Sequence, residues 1–216
     1  MLTISQHTLT GHSNKVLAAK FMGDPYRVAS GSHDRTLKIW DLRSRACVST
    51  KFAGSSCNDL VCVGDGSPMI SGHFDKRIRF WDARVEIPSQ EVTLQGKITS
   101  LDLSRDQNSL LASVRDDSIE VLDLRMNTVS GHFIADGFKL SSDFSRACFS
   151  PDGRFIACGS ADGSVFVWNV LENKVDAVLK DETKHSSPIG AVHWQADNGN
   201  VLLSADRSKK VVAWTP

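Results

Sequence analysis

What this sequence lacks already narrows what it can do. There is no excess of either charge, since 25 basic residues are balanced by 25 acidic ones. No overall field therefore draws the chain to nucleic acid or to an anionic lipid surface. No apolar run approaches the length of a membrane span. The first residues, Met-Leu-Thr-Ile-Ser-Gln-His, lack the basic and apolar segments of a secretory leader. The five cysteines (Cys47, Cys57, Cys62, Cys148 and Cys158) are odd in number and form no Cys-x-x-Cys pair, which points to reduced structural thiols rather than a disulfide frame or a zinc site. The seven histidines show no metal-ligand spacing, and helical periodicity finds little support. The expectation is a soluble, cytoplasmic chain with no metal, no cofactor and no nucleic-acid partner.

What the sequence does contain is one stretch written repeatedly. Ser30 to Arg43 reads Ser-Gly-Ser-His-Asp-Arg-Thr-Leu-Lys-Ile-Trp-Asp-Leu-Arg: a polar turn, then Leu37, Ile39 and Trp40 alternating with Thr36, Lys38 and Asp41 as a strand requires. Trp40-Asp41 returns as Trp81-Asp82, Leu122-Asp123, Trp168-Asn169 and Trp214-Thr215, at steps of 41, 41, 46 and 46 residues. A period in the forties, a strand pattern and a Trp-Asp ending together mark four-stranded propeller blades. The predicted fold is all-β, a WD40 β-propeller with five blades visible, in repeats of about 11–52, 57–95, 97–134, 144–180 and 188–214. The fifth repeat has three strands, and residues 3–9 would supply its fourth, closing the last blade and removing an open edge. A closed five-blade ring and an arc of a seven-blade propeller both satisfy this pattern.

In the first repeat His12, Ser30, Asp34 and Trp40 are the positions that resemblance to WD-repeat proteins assigns to a hydrogen-bonded tetrad; the physical need is that a buried carboxylate must find donors, and an imidazole, a hydroxyl and an indole can each offer something. The set looks like a Ser/His/Asp triad, but its members recur with the blade period and no oxyanion site or nucleophile elbow accompanies them, so a structural role is expected and no catalytic residue is assigned. The second repeat keeps Ser71, Asp75 and Trp81 without a Gly-His at its start, and the fourth keeps Asp162 and Trp168 with Cys158 in place of serine. The third has Lys97, Ala112 and Leu122 at the positions of His, Ser and Trp, and should be the least cross-linked. Gly72-His73 and Gly131-His132 are set aside, since they fall in a turn and in an outer strand.

Strand order decides which residues share an end of the disc. Asn58 and Lys97 lie where an outer strand hands over to the next inner one, and Phe74 lies in a turn at that same end, where the first and fourth repeats have His33 and Ala161. An aromatic beside Lys76, Lys97 and Asn58 suits an interface anchor with a polar surround. At the opposite end Arg43, Arg84 and Arg125 each follow two residues after the aspartate. Pairing with that aspartate is the expected role. The alternative is a Trp-Asp-x-Arg box, Arg43 and Arg84, resembling the one by which propeller substrate receptors dock on the cullin-4 ubiquitin ligase adaptor.

Thr8 to His12, Phe52 to Cys62, Ser71 to Asp82 and Gly96 to Thr99 resemble the C-terminal propeller of the autophagy-related 16-like protein. The resemblance implies a non-enzymatic scaffold in autophagosome assembly, in a complex that directs lipidation of ubiquitin-like proteins to membranes. It also implies that Asn58, Phe74 and Lys97 receive peptide tails of membrane or adaptor proteins, with recruitment to autophagic or endosomal membranes from the cytoplasm. The family's segment that binds the conjugation complex and its coiled coil are not in this sequence, and five of seven repeats are.

Overall fold

The computed structural model of the chain describes residues 8–64, 68–181, 183–195 and 201–215. Among these residues there are nineteen strands and no helix. Blade one is β1 (Val16–Phe21), β2 (Arg27–Ser32), β3 (Thr36–Asp41) and β4 (Ala46–Phe52); blade two is β5 (Cys57–Cys62), β6 (Pro68–His73), β7 (Arg77–Asp82) and β8 (Gln90–Thr93). Blade three is β9 (Ile98–Leu103), β10 (Ser109–Val114), β11 (Ser118–Asp123) and β12 (Thr128–Phe133); blade four is β13 (Ala147–Phe149), β14 (Phe155–Gly159), β15 (Val165–Asn169) and β16 (Lys174–Leu179). Blade five has β17 (Ile189–Trp194), β18 (Leu202–Asp206) and β19 (Val211–Trp214). Each blade is an antiparallel sheet with its strands in sequence order, the all-β WD40 β-propeller arrangement.

Turn chemistry explains why the repeats fold this way. The second-to-third strand turns each place one residue in the left-handed region: Arg35 (φ 67°), Lys76 (φ 70°), Asp117 (φ 66°), Gly163 (φ 87°) and Lys209 (φ 70°). The aspartate of each Trp-Asp dipeptide folds the next turn. Asp41 Oδ1 accepts the backbone N–H of Arg43 at 2.7 Å, Asp82 that of Arg84 at 2.8 Å and Asp123 that of Arg125 at 2.8 Å, and Asn169 does the same for Leu171 at 3.0 Å.

The core is divided between the blades, with one apolar cluster at each of the four interfaces from blade one to blade five. Close approach of an inner strand to the second strand of the preceding blade requires glycine there. A Cβ on Gly72 would lie 2.4 Å from Ile98 Cγ2, and one on Gly159 2.3 Å from Ile189 Cγ2. The inner strands carry a bulge near their start, where the register skips Leu17, Asn58, Thr99 and Gly190, and a bulge re-aims the side chain it releases.

Neighbouring blades pack through β1 and β5, β5 and β9, β9 and β13, and β13 and β17, with no comparable packing of β17 on β1 among the described residues. Val16 and Phe21 of β1 are exposed where most of β5 is buried, and Val211 of β19 is exposed at the other end. Of the expected closing strand, residues 3–7 lie outside the described residues, and Thr8 and Leu9 are not in a strand.

Candidate functional site

Two hydrogen-bonded tetrads lie within the blades. In blade one His12 Nδ1 is 2.7 Å from Asp34 Oδ2, His12 Nε2 is 2.8 Å from Ser30 Oγ, and Trp40 Nε1 donates to Ser30 Oγ at 2.7 Å. Burial works against ionisation of Asp34, but hydrogen bonds from Thr36, His12 and Ser13 outweigh it and hold the carboxyl well below the usual range. The ionised carboxylate takes the Nδ1 proton's hydrogen bond, Nε2 accepts from the serine hydroxyl, and the serine oxygen accepts from the indole. With the His12 and Asp34 side chains 5% and 6% exposed, this triad look-alike offers no opening to a substrate. Blade five repeats it: His185 Nδ1 is 2.9 Å from Asp206 Oδ2, His185 Nε2 is 2.6 Å from Ser204 Oγ, and Trp214 Nε1 donates to Ser204 at 2.8 Å. Sequence reasoning missed this set because Lys184-His185 replaces Gly-His. The signal was the ten-residue step from Ser204 to Trp214, the same as from Ser30 to Trp40.

Blade two builds the network differently. Gly72-His73, set aside on sequence, supplies the missing imidazole. His73 Nε2 is 2.6 Å from Ser71 Oγ, which also accepts Trp81 Nε1 at 2.7 Å, and His73 Nδ1 is 3.2 Å from the Ser55 carbonyl. Asp75 does not join. Its carboxylate is taken by Arg79, four residues on, whose Nη1 donates to it at 3.0 Å and whose Nε donates to Glu91 at 2.7 Å. Burial and then the charge of Arg79 push the His73 imidazole down to about 4. In blade four Asp162 and Trp168 are not joined either. Cys158 stands where the hydroxyl would be, so the Trp168 indole donates to the Ile134 carbonyl at 3.3 Å and Asp162 accepts from Ser164 Oγ at 2.8 Å. In blade three, Ser100 Oγ donates to Ser113 Oγ at 3.1 Å and accepts the Ala147 N–H at 3.2 Å.

The end of the disc that carries the second-to-third strand turns brings Phe74 and Lys97 together. Lys97 Nζ stands 3.7 Å from the centre of the Phe74 ring, and the His33 ring lies near-perpendicular to it with its centre 6.5 Å away. The ring is 36% exposed, so the pair is an aromatic face with a cation on it, open to solvent. Asn58 corrects the sequence reading. It is 3% exposed and is no surface contact. As the bulge residue of β5, it turns inward and its Nδ2 donates to the Ile98 carbonyl at 2.6 Å, tying blade two to blade three. Thr99, at the same bulge in blade three, reaches the Ser145 carbonyl at 3.1 Å and ties blade three to the chain entering blade four.

At the opposite end Arg43 lies over the Tyr26 ring, 3.9 Å from its centre, and Arg125 pairs with Asp123 at 2.6 Å. Arg43 and Arg84 both give their backbone N–H groups to the turn aspartates. Near the axis, a cavity of about 460 Å³ is lined by Lys20, Asp102, Arg146 and Trp194 among others. Beside it Asp59, 1% exposed, accepts the Leu101 N–H and Arg146 Nη1, each at 3.0 Å, and burial raises its carboxyl even so. No group of three His, Cys, Asp or Glu side chains among the described residues could hold a metal ion.

Periodic four-stranded blades and buried tetrads define a WD-repeat propeller. The family model described as "WD domain, G-beta repeat" matches residues 4–41 and 126–169. Autophagy-related protein 16 of Arabidopsis thaliana is 39% identical over 212 residues, covering 97% of this chain and 41% of that protein. Protein tipD of Dictyostelium discoideum is 38% identical over 97% of this chain and 35% of its own length, and Protein Atg16l2 of Mus musculus is 44% identical over 78% of this chain and 26% of its own. The chain is a WD40 domain of the autophagy-related protein 16 family. It spans well under half the length of these relatives.

Proposed function

We propose that this chain is the partner-binding, non-enzymatic part of an autophagy scaffold. Its Phe74–Lys97 rim receives peptide tails of membrane or adaptor proteins, and the longer protein thereby directs lipidation of ubiquitin-like proteins to autophagic or endosomal membranes from the cytoplasm. The observation that carries the reading is the Lys97 ammonium 3.7 Å from the centre of a Phe74 ring that is about one-third exposed. An exposed aromatic beside a cation is the composition of an interface anchor, desolvated when a partner docks. Asn58 contributes from beneath, by holding blade three, which carries Lys97, against blade two, which carries Phe74. The relatives' names support the setting in autophagy. Nothing favours the cullin-4 reading: the Arg43 guanidinium lies over Tyr26, and the backbone N–H groups of Arg43 and Arg84 serve the turns made by Asp41 and Asp82.

The experiment is capture of phage-displayed cytosolic tails of membrane proteins on the immobilised chain. Phe74→Ala should abolish capture of the tails that the wild type enriches, with an unchanged melting temperature because the ring is partly exposed. Tails still captured by Phe74→Ala would refute the rim as their site.

A further inference from the structure

Lys97 belongs to a larger arrangement than its contact with Phe74. Its Nζ is 3.9 Å from Asp143 Oδ2, too far for a hydrogen bond, while Oδ1 of the same carboxylate accepts Arg115 Nε at 3.1 Å. Arg115 is anchored in turn, its Nη1 donating to the Leu140 carbonyl at 2.6 Å. The three charges come from three places: Lys97 precedes β9, Arg115 lies in the turn between β10 and β11, and Asp143 lies in the loop between β12 and β13. Their side chains are 39%, 33% and 31% exposed in the same order, so all three reach solvent at the rim.

Asp143 is thus shared unequally. A guanidinium held by a backbone carbonyl has little freedom left to lose when it takes a carboxylate, whereas an ammonium on a four-carbon stem has much. Arg115 therefore takes the carboxylate, and Lys97 keeps a charge that is only weakly compensated, above an apolar ring. A carboxylate arriving from outside meets that charge.

We propose that Arg115 is a positioning residue for the docking rim. By holding Asp143, it leaves Lys97 to an aspartate or glutamate side chain of the docked segment, and Asp143 is the built-in competitor for that place. This rests on the reading of Phe74 and Lys97 as the docking surface and adds what the segment must carry. It also assigns residues from blades three and four to a site otherwise defined by two neighbouring side chains.

The probe is a 12-residue peptide, the most enriched acid-bearing sequence selected on the wild-type chain from a random phage library and lost on Phe74→Ala. Its Kd is read by fluorescence polarisation at low salt. An exposed ion pair is worth a factor of about two to five. Arg115→Gln should raise Kd by about that factor, because Asp143 then turns to Lys97, and Asp143→Asn should lower it by a similar factor. The double variant should bind at least as well as the wild type, since the competitor is gone. A merely structural Arg115 would leave the double variant as weak as Arg115→Gln, and that result overturns the proposal. So does a selection whose Phe74-dependent sequences carry no acidic residue, or a peptide lost on Phe74→Ala yet indifferent to both single variants. A selection that yields only sequences still bound by Phe74→Ala overturns instead the rim reading on which the proposal stands.

Discussion

Acid should weaken this protein through one histidine. His73 is buried with its Nε2 accepting from Ser71 and its Nδ1 against the Ser55 carbonyl, which fixes the neutral form with the proton on Nδ1. Charging the ring would put a second proton at Nε2, facing an oxygen that already accepts the Trp81 indole N–H and whose own hydrogen would lose its acceptor. In the fold His73 titrates near 4, against 6.5 for an ordinary histidine. A folded pKa below the unfolded one means that the unfolded chain binds more protons between those values. The contribution is therefore complete above about pH 6.5 and is lost as pH falls toward 4, amounting to about 2 kcal/mol between pH 7 and pH 4.5. Asp59 and Asp102, raised by burial, act with the opposite sign as pH rises past the ordinary carboxylate range, so the wild type alone cannot isolate the histidine. The comparison is with His73→Gln, which cannot titrate: urea unfolding from pH 7.5 to 4.5 should show the wild type losing about 2 kcal/mol more than the variant, whatever their difference at pH 7. Parallel pH profiles would refute the assignment of His73 as the acid-sensitive member of blade two.

Two further substitutions probe how the blades are joined. Gly159→Ala puts a methyl 2.3 Å from Ile189 Cγ2 at the interface of blades four and five and should cost on the order of 1–3 kcal/mol in urea unfolding; an unchanged midpoint would mean that the interface yields freely. Lys51, 1% exposed, sends its ammonium from β4 to the carbonyls of Ala83 and Val85 in blade two. Lys51→Met should lose about 1–3 kcal/mol by leaving those carbonyls unpaired, and a stabilised variant would show that burying the amine costs more than its hydrogen bonds return.

Much of the fold was legible because its signals are local. Asp41, Asp82 and Asp123 cap the turns they stand in, so the Trp-Asp pattern reports a turn that it also makes. The expected repeat ends at 52, 95, 134, 180 and 214 fall within two residues of the ends of β4, β8, β12, β16 and β19. The site was legible in part. Phe74 and Lys97 do meet, as their places in the strand order indicate, but Asn58 shares their end of the disc without sharing their exposure. A bulge turns its side chain inward, and nothing in the local pattern marks a bulge.

The sequence by itself determined the blade: its period, its strand alternation, its turns and the tetrad of blade one, all of which are set by residues within one repeat. Only the tertiary structure decided which groups fill a vacant role. It brought His73 into a place with no upstream histidine, gave Asp75 to Arg79, and carried Asp143 from the loop before blade four to Arg115 and Lys97 of blade three. The physical reason is that a strand pattern specifies the face on which a side chain emerges, while the partner it finds depends on the neighbouring blade packed against that face.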